Sequence, residues 1–152
     1  MLTSSMKYSL FLYIFLMTLI TSLPVTEAAE KKLPLCNNSP NCVSSQAKIA
    51  DKQHYIAPFE IKVAPEHAWT ALKEAIIKQP RMIITHETHD TLHAEATSLV
   101  MRFVDDINAI LDAKALLIHI RSASRVGHSD FGVNRKRIEE LRKQLQKAGV
   151  IE

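Results

Sequence analysis

Residues 121–137 read RSASRVGHSDFGVNRKR, and this run holds five Lys or Arg and two of the three glycines in the chain. Guanidiniums at Arg121 and Arg125, hydroxyls at Ser122 and Ser124, and the unpaired N–H groups of a helix opening near Arg135 and Arg137 are the parts of an anion site. Asn134 is the residue type that caps a helix N-terminus. The cations that follow it in the first turn oppose the helix dipole by about 0.3–1 kcal/mol each. A sequence shaped only for helix stability would put Asp or Glu there; a bound phosphate or carboxylate could neutralise the charge. The competing arrangement is internal. Arg102, Asp105, Asp106 and Asp130 could supply Arg–carboxylate pairs that lock the loop to a sheet, with Asp105 and Asp106 orienting the arginines.

Two other constellations carry weaker chemistry. His86 and His93 flank a polar turn at His89 and Asp90, and a two-residue turn there places them opposite one another. That permits two imidazoles on one metal, with His89 or Asp90 as a third ligand. Seven histidines in 152 residues make such a cluster common by chance, so no metal or other cofactor is assigned. Ser124, His128 and Asp130 are the residue types of a hydrolytic triad, but they crowd into seven residues on one loop without a strand–turn–helix elbow. A hydrolase using Ser124 or an Asp carboxylate is the alternative function. Asp105 and Asp106 cannot both line one pocket, because neighbours on a strand face opposite ways.

The elements that must position these residues follow from periodicity. Residues 29–56 are rich in Asn, Ser, Lys and Pro and read as an extended arm. Alternation at 59–63 predicts a strand. Ala68, Trp69, Leu72, Ala75 and Ile76 share one face of a helix that starts at Pro65 and stops before Pro80, which makes Trp69 a core residue. Residues 82–86 and 92–96 predict one hairpin, and 107–111 and 116–120 a second. Ile138, Leu141, Leu145 and Ala148 form the apolar stripe of a last helix that closes at Gly149. The expected fold is α+β: an antiparallel sheet of about five strands packed on one face by two helices, over residues 57–149.

The whole chain carries a net charge of +3. Residues 121–152 hold eight Lys or Arg against four Asp or Glu, whereas 29–120 hold ten against eleven. The positive excess therefore sits in the last fifth of the chain. Lys7 followed by the uncharged apolar run 8–23 reads as a signal peptide cleaved after Ala28, with an uncleaved anchor as the competing reading. Export implies an oxidising compartment, periplasmic or extracellular, in which Cys36 and Cys42 pair as a disulfide stapling the arm. There is no Cys-x-x-Cys pair and no phosphate-binding Gly-Lys-Ser/Thr motif. Nucleic acid is not an expected partner, since Phe131 is the only aromatic residue in the basic run; the membrane enters only through the leader if it remains.

Leu35-Cys36 with residues 39–45, then Leu92-His93-Ala94-Glu95 with Ser98, residues 102–106, and residues 121–127 with Asp130, Gly132, Asn134, Arg135 and Arg137 resemble the exported family known as domain of unknown function 1499. The resemblance spans about Leu35 to Leu145, and the family brings no activity, cofactor or catalytic residue to transfer. Leu92 and His128 stand where many relatives carry an aromatic residue. The sequence thus predicts a small exported envelope protein, a non-enzymatic binding module whose ligand is an anionic group of an envelope component. The purely structural alternative is an Arg–carboxylate clamp with function on another surface.

Overall fold

The computed structural model describes residues 31–152; the expected signal peptide and its expected cleavage after Ala28 lie outside them. Eight elements follow in order: β1 (Cys42–Ser44), β2 (Phe59–Glu60), α1 (Pro65–Lys78), β3 (Met82–Glu87), β4 (Thr91–Thr97), β5 (Val104–Asp112), β6 (Leu117–Ser124) and α2 (Val133–Lys147). The sheet is antiparallel in the order β1-β6-β5-β4-β3, with β2 also paired to β6. Both helices contribute to one core with the same sheet face: Ala68, Trp69, Leu72, Ala75 and Ile76 from α1, and Ile138, Leu141 and Leu145 from α2. No helix among the described residues is long and apolar enough to cross a membrane.

The α+β fold is the one expected from the pattern, and Cys36 and Cys42 form the staple. Strand limits differ. The strand expected over 59–63 is only Phe59–Glu60, after which Ile61 bridges to Ile151 at the far end of the chain. The stapled arm is not merely extended, because β1 pairs Cys42 with Ala123, Val43 with Ser122 and Ser44 with Arg121. This pairing corrects the reading of 121–124 as a loop: Arg121, Ser122 and Ser124 belong to β6, with β1 and β5 on either side. Ser and Arg have little strand preference of their own, and ladders on both flanks override it.

The last helix begins earlier than the sequence suggests. Asp130 accepts the N–H of Gly132 through Oδ1 (2.9 Å) and that of Asn134 through Oδ2 (2.9 Å), which satisfies the helix start. Gly132, with φ of 79°, occupies the cap position. Asn134 is therefore not the N-cap. It lies fully buried in the first turn with its amide free to bond elsewhere.

Candidate functional site

Because side chains alternate along β5 and β6, the pleat divides the basic run between the two sides of the sheet. Even-numbered residues of β6 face the helices. Arg137 of α2 donates to Ser122 Oγ (2.9 Å) and Asn134 Oδ1 (2.7 Å) through Nη1 and to Asp105 Oδ2 (2.6 Å) through Nη2. Asn134 Nδ2 donates to the carbonyl of Asn41 (3.0 Å), Ser124 Oγ (2.9 Å) and Asp130 Oδ2 (2.7 Å). Ser122 and Asn134 are fully buried, and the Arg137 and Asp105 side chains keep only 15% and 11% exposure. Arg135 is spent as well, donating to the carbonyls of Lys52, Gln53 and Tyr55. These residues weld β1, β6, β5 and α2 together, and each polar group named finds its partner inside the fold.

Arg121 and Arg125 lie on the opposite, helix-free face. Arg125 grips Asp106 through Nε and Nη2 (3.0 and 2.7 Å) and reaches Glu95 Oε1 with the same Nη2. Next to them, His93 Nε2 is 2.8 Å from Asp106 Oδ1 and its Nδ1 is 2.6 Å from Thr85 Oγ1. A carboxylate only accepts, so the Nε2 that faces Asp106 is the donor of that bond. The Arg125 guanidinium, followed by the His93 bond, holds the Asp106 carboxyl below the usual carboxylate range. Asp106 in turn raises the pKa of Arg125.

Arg121 is the exception to this mutual satisfaction. Its Nε is buried without a partner, and its Nη atoms reach only neutral acceptors at the long limit: Asn108 Oδ1 at 3.4 Å and the carbonyl of Leu35 at 3.5 Å. No carboxylate lies within 4.0 Å of it among the described residues. Burial pushes its pKa down, opposed by the charge of Asp106. Beside it, arm residues 31–35 cross the sheet as a strap. Lys31 pairs with Asp90, Leu33 is buried, and Gln46 holds the strap by accepting from the Leu33 N–H (2.7 Å) and donating to the Lys31 carbonyl (3.3 Å). Between strap and sheet lies a cleft of about 220 Å³ lined by Lys32, Pro34, His86, His93 and Asn108 among others.

The residues expected to form one anion site thus fall into two clusters on opposite sides of β6. Asp105 pairs with Arg137 and Asp106 with Arg125, one on each face, and neither pairs with Arg121. Arg102 is exposed and has no carboxylate within 4.0 Å among the described residues. His128 is exposed and bonds to neither Ser124 nor Asp130. His86 does stand opposite His93, and a bulge at Thr85 then shifts the register of the rest of the hairpin. The tighter grouping is His93, Glu95 and Asp106, with one potential ligand atom from each within 4.8 Å of the others. Arg125 already neutralises its carboxylates. Sequence reasoning passed over Thr85 and the place of His93 beside Glu95. The alternation of β4, which puts His93 and Glu95 on one face, was the available signal for the second.

No curated protein and no solved structure matches the chain. A family match covers residues 32–145, which include both clusters, the staple and all of the strap but Lys31. On that match the chain belongs to the family described as protein of unknown function DUF1499.

Proposed function

We propose that this protein is an exported, non-enzymatic binding module of the cell envelope that seats an anionic group on the helix-free sheet face, beside Arg121. Export is supported by the charged start and apolar run of residues 1–28 and by the Cys36–Cys42 disulfide, a bond that persists in oxidising compartments. The observation that carries the ligand reading is Arg121 itself: a half-buried guanidinium with one orphaned donor, two weak ones and no counter-ion among the described residues, whose long-range acceptor Asn108 also lines the cleft under the strap. Leaving such donors unmet costs free energy that a carboxylate or phosphate would recover. The arginines under α2, by contrast, have their acceptors already.

The test is thermal unfolding with inorganic phosphate, glycerol phosphate or glucuronic acid, in the wild type and in Arg121→Met, which keeps an apolar stem. A concentration-dependent rise in melting temperature for one anion, absent in the variant, is expected, since only binding to the native state stabilises. If no anion shifts the wild type while Arg121→Met raises its melting temperature, the guanidinium is an uncompensated cost and the reading fails. The hydrolytic alternative draws on the Thr85–His93–Asp106 chain rather than on Ser124. Turnover of a reactive ester that disappears in Thr85→Val would replace binding with catalysis.

A further inference from the structure

The loops that leave one end of the sheet share an exposed apolar composition. The β4–β5 loop exposes Leu99 (69%), Val100 (82%), Met101 (65%) and Phe103 (47%). The loop between β6 and α2 exposes Val126 and Phe131, the latter at 97%, and α2 opens on exposed Val133. They emerge side by side: the N–H of Arg125 bonds to the Val104 carbonyl, so Phe103 and Val126 continue adjacent stretches of chain. Isolated exposed apolar residues are ordinary, but six from two neighbouring loops, with a seventh at the helix start beside them, are not. Residues at 82–97% exposure project beyond the surface, and a projecting apolar tip suits a soft surface better than a rigid groove.

Backbone conformation supports a purpose for these tips. Phe131 (φ 53°) and Arg102 (φ 56°) both adopt the left-handed region without being glycine, a conformation that L residues rarely take. Charge singles out the surface. Four carboxylates at this end are engaged: Glu95 and Asp106 by Arg125, Asp105 by Arg137, and Asp130 by the start of α2. Arg81, Arg102 and Lys136 have no carboxylate within 4.0 Å among the described residues. Apolar side chains surrounded by cations without counter-ions match the interface of an anionic bilayer, where the first sink among acyl chains and the second meet headgroup phosphates.

We infer that this end of the molecule is a peripheral membrane-docking surface, in which Leu99, Val100, Met101 and Phe131 insert into an anionic leaflet while Arg81, Arg102 and Lys136 bind its headgroups. Phe131→Trp places an indole at the tip of the full chain as recovered from its cells. Trp69 is 4% exposed in the core and gives a constant background, so the readout is local to residue 131 whatever the fate of the leader. On vesicles with about one third phosphatidylglycerol, emission is expected to move to the blue and to be quenched by brominated acyl chains. Adding Arg102→Glu and Lys136→Glu is expected to weaken partitioning by at least about tenfold. Unshifted, unquenched emission on these vesicles overturns the inference. So does equal binding to purely zwitterionic vesicles, or a blue shift that appears without lipid as protein concentration rises, which would make the occupant a second copy of the chain.

Discussion

Asp105 and Asp106 are joined by one peptide bond, yet the first closes on Arg137 beneath α2 and the second on Arg125 in solvent. The consequences of losing each partner differ accordingly. Arg137→Ala leaves Asp105 buried without a counter-ion and deprives Ser122 Oγ and Asn134 Oδ1 of a donor, so it is expected to cost about 3–5 kcal/mol by urea unfolding. Arg125→Ala exposes its carboxylates to water and should cost far less. The chemistry of the Arg/Ser run was legible in the sequence as arginines, hydroxyls and nearby carboxylates in one segment. Its division was not, because parity matters only once 121–124 is known to be a strand, and that depends on pairing with β1 and β5 more than seven residues away. The role of Asn134 was hidden for a related reason: Asp130 captures the helix start and releases the amide for cross-links to Asn41 and Ser124.

At the scale of elements, periodicity located the helices closely, since both bury an apolar stripe and have chemical stops. Pro65 begins α1 at its first position, and Gly149 ends α2. The latter works through two backbone bonds, from Gly149 N–H to the Gln146 carbonyl (2.9 Å) and from Val150 N–H to the Leu145 carbonyl (3.1 Å). Both need residue 149 in the left-handed region, where its φ is 70°. A Cβ there would meet nothing within 4 Å, so Gly149→Ala is a test of backbone conformation alone. A loss of about 1 kcal/mol is expected, read from the midpoint of urea unfolding. Strands were less legible than helices. The short β2 pairs with β6 and is followed by a bridge from Ile61 to Ile151, distant in sequence, and no local pattern announces such a pairing.

For the whole molecule, stability should depend on pH through the contact that ties the stapled loop to the domain. His54 is buried with Nδ1 2.7 Å from Asp51 Oδ2 and Nε2 3.1 Å from the Ser39 carbonyl, inside the Cys36–Cys42 loop. Two acceptors favour the doubly protonated ring, and the Asp51 bond, above all, raises the His54 pKa above its ordinary value, while His54 lowers that of Asp51. A raised histidine contributes fully below its unfolded value and loses the contribution as pH climbs through the folded one; a lowered carboxylate contributes above its unfolded value and loses it as pH falls. Stability should therefore peak on the mildly acidic side and decline as His54 deprotonates. Urea midpoints measured against pH are expected to lose that decline in His54→Gln. The sheet itself has one face closed by helices and the other crossed by the strap, and its far margin is β3, interrupted at Thr85. A strand kinked by an extra residue, with His86 and Glu87 exposed beyond it, offers no straight ladder for another molecule to extend. Crowding can then raise the local concentration of the folded chain without seeding cross-β growth from that border.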